Sequence, residues 1–376
     1  MNSAWDYPTA QTVWGPEEYE AIARVVASGQ FTRGGEVATF ERELAGYHGV
    51  KHAICVNSGS SANLVAVAAL FHVERNPLQR GDKVAVPAFA WATTYAPLIQ
   101  MGLDLVLIDA AAETWNADPF LPFPPDALRL VLFAPMLGNP AYAPMWARWK
   151  DRGYWLIEDA CESIGASVDR QRCGTFGHMS TTSFFFSHQL SAIEGGAILT
   201  DDDELGRLCR LLADHGWTRN TERAQRLVDE TKFVLPGFNL RPVEMHCAIG
   251  RAQLKKLDKG RGWRMRNWQA FVAATAYLPI EIPTLIGNAN PFGIHFLMPD
   301  SETRERAVVA LRARGIDCRL PGGGSFRLQP FGKQWSNQHT PVADEIHRRG
   351  LMIGNGPLDL RNWIDGAARI LGEVLV

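Results

Sequence analysis

The chain has 376 residues, long enough for more than one hydrophobic core, so two domains are the starting expectation. Lys and Arg number 38 against 40 Asp and Glu, a net charge of −2, which lacks the basic excess that nucleic acid or an anionic membrane demands. The longest unbroken apolar run, Leu64 to Phe71, is far too short to span a bilayer. The opening Met1–Asp6 shows no basic stretch running into an apolar one, so a cytoplasmic protein is expected. Six cysteines stand at 55, 161, 173, 209, 247 and 318 with no CxC or CxxC pair, which predicts free thiols and no cysteine-held metal or cluster.

In chain order, Glu17–Ala27 and Val37–Tyr47 read as helices around the turn Thr32-Arg33-Gly34-Gly35. Ala53–Val56 reads as a strand that enters Asn57-Ser58-Gly59-Ser60-Ser61-Ala62-Asn63 and then a helix through Phe71. Lys83–Val86, Leu105–Ile108, Arg129–Phe133 and Trp155–Ile157 are short apolar strands, each followed by a polar or small residue. Strands alternating with helices predict a parallel, helix-covered sheet. The run Ser183-Phe184-Phe185-Phe186-Ser187 reads as a further buried strand, and Ala197–Leu199 as another. A long helix is expected from about Pro242. Beyond it come a strand at Phe292–Met298, a helix at Glu302–Arg314 and a strand at Ile316–Leu320. This layout predicts a large domain over 1–255 and a smaller α+β domain over 256–376.

Five segments have the chemistry of a site. The Asn57–Asn63 segment joins a strand to a helix, and such a helix start offers unpaired N–H groups to an anion; a capped turn that binds nothing is as plausible from these residues alone. Glu158-Asp159-Ala160-Cys161-Glu162 follows a buried strand, where α/β proteins bind ligands; the competing reading is a helix-capping Asp. His188 lies in the polar loop Ser187-His188-Gln189, off any apolar stripe, though most histidines in a chain are structural. Trp91, in Trp91-Ala92-Thr93-Thr94, is placed either to stack on a flat ring or to pack in a core. Asn239 and Arg241 sit in the loop Leu235–Glu244, which reads as a capped loop on its own.

Together these segments resemble the fold-type-I pyridoxal-phosphate enzymes, in the branch that acts on nucleotide-linked keto sugars. The resemblance runs over nearly the whole chain. It also takes in Met136-Leu137-Gly138-Asn139-Pro140 and His215-Gly216-Trp217-Thr218-Arg219-Asn220. Most members of the branch are aminotransferases with a cofactor-binding lysine where this chain has His188. No lysine occurs here between Lys150 and Lys232. That replacement marks the nucleotide-sugar 3-dehydratases. The histidine-bearing CDP-sugar group carries an iron–sulfur cluster with a CxC element, which this chain lacks.

The resemblance implies an α/β aspartate-aminotransferase-like fold, and pyridoxal 5′-phosphate or pyridoxamine 5′-phosphate as cofactor. Gly59, Ser60 and Ser183 would hold its phosphate, and Asn239 would reach the phosphate in the neighbouring subunit of a homodimer. Trp91 would stack on the ring, Asp159 would pair with its protonated nitrogen, and Glu162 would meet its 3-oxygen. Ser187, His215, Arg219 and Arg241 are the expected substrate contacts. Imidazole forms no Schiff base but titrates near neutrality, so His188 would serve as the proton shuttle alone. The expected reaction is loss of the C3 hydroxyl from a nucleotide-linked 4-keto-6-deoxy sugar, with L-glutamate restoring the cofactor amine. Two other readings share these residues: an aminotransferase lacking the covalent lysine, and an inactive regulatory protein on the same scaffold. The glycine-rich Arg319-Leu320-Pro321-Gly322-Gly323-Gly324-Ser325-Phe326 departs from the family pattern where the sugar nucleotide would approach.

Overall fold

A computed structural model describes residues 5–11, 13–120, 128–218 and 232–375. Among these residues the strands are β1 His52–Val56, β2 Lys83–Pro87, β3 Asp104–Ile108, β4 Leu128–Phe133, β5 Trp155–Asp159, β6 Ser167–Val168, β7 Gln171–Arg172, β8 Met179–Ser183, β9 Gly196–Thr200, β10 Gly293–Leu297, β11 Cys318–Arg319 and β12 Gly350–Gly354. Seven of them form one sheet in the order β1-β9-β8-β5-β4-β2-β3. Only β9 runs antiparallel to its neighbours. The other six are parallel, so their C-terminal ends meet along one edge.

Helices cover this sheet: α2 Gly35–His48, α3 Gly59–Ala69, α4 Ala92–Gln100, α5 Ala143–Ala147 and α6 Asp203–Ala213, while α1 Pro16–Ser28 packs against the helix Glu244–Leu254. Helix α3 is sheathed in Ala62, Val65, Ala66, Val67 and Ala69, all buried against the sheet's core strands. Small side chains let it lie close to the strands. The helix expected from about Pro242 is two helices, α7 Glu244–Leu254 and α8 Leu257–Ala274.

The remaining helices are α9 Ser301–Ala313, α10 Pro341–Arg349 and α11 Arg361–Leu375. Strands β10, β12 and β11 make a separate antiparallel sheet. On one face Ile294, Phe296, Leu351, Ile353 and Cys318 join α8, α9 and α11 in a second hydrophobic core. On the other, His295, Met352 and Arg319 are cross-strand partners and point together away from that core. Tyr7 of the N-terminal segment packs in the second core, whereas Phe326, Trp335, Ala343 and Ile346 pack in the first. Among the described residues no helix is long and apolar enough to cross a membrane.

Two expected strands differ. The Phe184–Phe186 run lies beyond β8, which is Met-Ser-Thr-Thr-Ser and fully buried. The strand expected at Ile316–Leu320 is only Cys318–Arg319. After Leu320 come Pro321, Gly322, Gly323 and Gly324, and Gly322 and Gly324 have left-handed backbones, so the ladder ends there.

Candidate active site

The C-terminal ends of β1, β2, β5 and β8 open onto one cavity of about 230 Å³. Its walls bring together Gly59, Ser60, Trp91, Asp159, Glu162, Ser183, Ser187 and His188, which are far apart in sequence. The parallel register puts these loops on one edge, where open α/β sheets bind ligands.

The floor begins at α3. Ser58 caps this helix, its Oγ accepting from the Ser61 N–H at 3.1 Å. Gly59 and Ser60 then carry first-turn N–H groups that no helical carbonyl can reach. A Cβ on Gly59 would come within 2.7 Å of Ser183 Cβ and 2.8 Å of Cys161 Sγ. Glycine is therefore what lets the helix start approach the ends of β5 and β8. The Ser60 hydroxyl donates to Thr93 Oγ1 at 2.9 Å. Helix N-terminus and hydroxyls together form an anion seat.

Asp159 ends β5 and is buried. Its Oδ2 accepts from Asn63 Nδ2 and Thr94 Oγ1, both at 2.8 Å, and its Oδ1 from the Cys161 N–H at 3.2 Å. Asn63 is fixed in turn by Thr181 Oγ1, which donates to its Oδ1 at 2.6 Å. This carboxylate has three donors but no cation among them, so it can receive a protonated ring nitrogen. Its neighbour Glu158 points to the opposite face, where the Gly174 and Phe176 N–H groups and Ser180 Oγ bind it. Glu158 is thus a structural anchor.

Glu162 accepts from the Leu137 N–H at 2.9 Å. Burial pushes its carboxyl up to about 7, against the pull of that N–H and of Arg319. Trp91, the residue before α4, stands half-exposed in the cavity wall.

His188 is held by its own N–H, which donates to the Phe185 carbonyl at 2.9 Å. Its ring packs edge-on to Phe185 at 5.8 Å and against Phe292 at 5.5 Å. Nδ1 is buried with no hydrogen-bond partner, which leaves Nε2 to the cavity. Burial, then the positive charges of Arg319 and Arg264, push the imidazole down to about 4. The ring is therefore a neutral base near neutral pH. Gln189 lies outside the wall. Its amide donates to the carbonyls of Glu162 and, at 2.8 Å, Asn290, tying the His188 loop to the segment before β10.

Asn239, His215 and Arg241 lie elsewhere in the chain. Arg33 and Arg241 both pair with Asp214, Arg241 at 2.9 Å, and Arg241 Nη1 contacts His215 Nε2 at 2.6 Å. Asn239 is exposed and bridges the Asp214 backbone. Arg33, Asp214 and Arg241 line a second cavity of about 220 Å³. Arg219 lies outside the described residues.

Sequence reasoning gave no role to eight wall residues: Ser58, Asn63, Thr93, Thr94, Cys161, Phe185, Glu194 and Arg319. Asn63 and Thr94 act through Asp159, and only their position inside already quoted motifs hinted at this. Arg319 is the one permanent cation among the cavity's lining residues.

A model of the DegT/DnrJ/EryC1/StrS aminotransferase family matches residues 13–358. The chain belongs to this family. It is 36% identical to GDP-4-keto-6-deoxy-D-mannose 3-dehydratase of Yersinia pseudotuberculosis, over 97% of this chain and 98% of that one. A solved structure of GDP-4-keto-6-deoxymannose-3-dehydratase, a histidine-to-asparagine mutant with bound GDP-perosamine, matches with a TM-score of 0.91 at 35% identity, covering 97% of this chain and 100% of that chain. Another, with a trapped PLP–glutamate geminal diamine, matches at 0.90 and 34%, with the same coverage. The fold is accordingly that of fold-type-I pyridoxal-phosphate enzymes. The cavity fits such a cofactor. Gly59 leaves a cradle at a helix start for a phosphate, Asp159 offers a donor-fixed carboxylate for a ring nitrogen, and Trp91 offers a flat face.

Proposed function

We propose that the chain is a 3-dehydratase that takes GDP-4-keto-6-deoxy-D-mannose to GDP-4-keto-3,6-dideoxy-D-mannose, using pyridoxal/pyridoxamine phosphate and L-glutamate. The observation that carries this reading is His188, an imidazole facing a cavity whose other walls suit the cofactor, with no lysine among the cavity's lining residues. When bound, pyridoxamine phosphate supplies a primary amine for the C4 ketone and an electron-accepting ring. The α3 start, Ser60 and Ser183 hold a phosphate dianion. Asp159 keeps a ring nitrogen protonated. Trp91 fixes the ring plane. His188 Nε2 takes up a proton and delivers one to the departing C3 oxygen, a task for which a neutral imidazole is suited. Lacking a side-chain amine, His188 cannot hold the cofactor covalently, so the bound amine form stays free to react.

Asn239, His215 and Arg241 serve the site of a second subunit in a homodimer. Their position outside the cavity of their own chain supports this assignment. Arg219 is assigned to the substrate with them. Residues 1–255 hold the cofactor and residues 256–376 form the smaller domain; the second hydrophobic core on β10–β12, α8, α9 and α11 supports this division, while Tyr7 joins that core and Phe326, Trp335, Ala343 and Ile346 cross over to the first. Six free thiols are in keeping with the cytoplasm.

The test is spectroscopic. Protein loaded with pyridoxal phosphate should lose its aldehyde absorbance on addition of L-glutamate and regain it on addition of the keto sugar nucleotide. His188→Asn should lower turnover by about 10²–10⁴. Unchanged turnover in that variant would remove His188 from the chemistry.

A further inference from the structure

Three segments far apart in the chain meet beside the end of α6: the turn Thr32–Gly35, the residues Asp214–Trp217, and the loop Phe238–Val243. Backbone contacts stitch them together. The Phe238 N–H donates to the Leu212 carbonyl at 2.7 Å, the Leu240 N–H to the Ala213 carbonyl at 2.9 Å and the His215 N–H to the Phe238 carbonyl at 2.6 Å, while Thr32 bridges Val243. Within this frame His215 has a left-handed backbone, with φ of 60°. The next residue is Gly216, at φ of 73°, where a Cβ would lie 1.9 Å from the Leu235 carbonyl oxygen. A left-handed backbone is uncommon outside glycine, and surroundings that enforce it are found where a side chain has to be aimed.

The side chains of the cluster follow a fixed order. Asp214 is buried at the C-terminal end of α6, where the helix dipole disfavours a carboxylate. Two guanidinium groups compensate, since Arg33 and Arg241 both donate to its Oδ1, Arg241 at 2.9 Å. Arg33 also lies over the Trp217 ring, 5.1 Å from its centre. Arg241 Nη1 stands 2.6 Å from His215 Nε2. A guanidinium has protons to give and no lone pair, so Nε2 must be the accepting nitrogen. The ring is then neutral, and Nδ1–H is its one remaining polar group. This opposes the arrangement at His188, whose Nε2 faces the cavity as the accepting atom.

We propose that Asp214 is a positioning residue: through Arg241 it holds His215 as a neutral ring that donates an Nδ1–H hydrogen bond to an oxygen of the sugar nucleotide bound in the neighbouring subunit. Arg33 locks Asp214 in place. This rests on the function and the homodimer proposed above, and adds to them a proton position and the residue that enforces it. His215 contributes binding, and the proton chemistry stays with His188.

Asp214→Ala and His215→Ala should each raise KM for the sugar nucleotide about 5- to 50-fold with little change in kcat, the mark of one hydrogen bond lost from uniform binding. The double variant should lose no more than either single one, since both remove the same bond. His215→Asn carries an amide N–H on Cγ, as the ring carries Nδ1–H, and should keep KM within about threefold of the parent, less than a lost bond. His215→Gln, whose amide lies one carbon farther, should behave as His215→Ala. Melting temperatures and cofactor spectra show which variants fold, and Asp214→Asn takes the place of Asp214→Ala if the latter does not. Mixed dimers of His188→Asn and Asp214→Ala chains, isolated with two affinity tags, contain one site built from intact residues of both subunits, and its KM should be that of the parent. An unchanged KM in Asp214→Ala, or additive losses in the double variant, would overturn the positioning role. A His215→Asn variant as impaired as His215→Ala would overturn the proton position. A mixed dimer with the raised KM would place Asp214 in the site of its own chain and overturn the assignment across subunits. If the parent does not consume the keto sugar nucleotide, the function proposed above has failed and this assignment falls with it.

Discussion

His188 has two ring nitrogens in different surroundings. Nδ1 is buried without a partner, and Nε2 faces the cavity. A lone buried nitrogen costs free energy, a local cost that the proton-transfer role proposed for His188 would account for. Burial, and after it the charges of Arg319 and Arg264, hold the ring uncharged, and only an uncharged ring can accept a proton. Gly59 is the second residue on which the site turns, because the helix start closes on β5 and β8 only without a side chain. Gly59→Ala must push Ser183 or Cys161 aside. It should weaken cofactor binding about tenfold or more and cost about 1–3 kcal/mol of stability. A pyridoxal-phosphate titration followed by absorbance, alongside urea unfolding, checks both. Wild-type affinity in that variant would show that the cradle does not hold the phosphate.

At the scale of elements, α2 depends on a residue far away in the chain. The buried Glu244 carboxylate accepts from the N–H groups of Gly34 and Glu36 at 2.8 Å and of Val37 at 3.1 Å. Gly34 makes room for it, since a Cβ there would lie 2.6 Å from Glu244 Oε2. Glu244→Ala leaves three donors unpaired and should cost about 3 kcal/mol, measured by urea unfolding. Glu244→Gln, which keeps one acceptor, should fall between. The turn Thr32–Gly35 and the loop Leu235–Glu244 were both visible in the sequence, but the carboxylate that joins them was not, because nothing local marks it. Strand β8 was hidden for another reason. Its Ser180 and Thr181 are buried by bonding to Glu158 and Asn63, so a strand of the central sheet carries almost no apolar pattern. The apolar strands β1 to β5 were legible because packing alone dictates their residues. So were the helix start at Gly59 and Asp159, because strand ends and glycine turns leave local marks. Asn63 and Thr94 escaped notice because their bonds to Asp159 exist only once distant loops meet.

The whole molecule carries several buried histidines. Burial pushes His48, His178 and His188 down to about 4, and His295 to about 3. Above the ordinary value near 6.5 both folded and unfolded chains hold these rings neutral, so their contribution is complete there. As pH falls from about 6.5 toward 4, the unfolded chain takes up protons that the folded chain refuses, and stability is lost. Glu158 and Glu162, raised to about 7, act the other way. Their contribution is complete below the ordinary carboxylate value, about 4.3, and is lost as pH rises through about 7. Four imidazoles outweigh two carboxylates, so urea unfolding near pH 4.5 should show lower stability than near pH 7, by at least about 2 kcal/mol. Equal stability at the two values would mean that these rings are hydrated in the folded chain.

The reaction itself is tested most directly by the mass of its product. Incubated with pyridoxal phosphate, L-glutamate and GDP-4-keto-6-deoxy-D-mannose, the protein should yield a nucleotide sugar lighter by one oxygen atom, with one ammonia and one 2-oxoglutarate released per turnover. A product that keeps the C3 oxygen and carries nitrogen at C4 would contradict the account, and would make the chain an aminotransferase that works without a lysine.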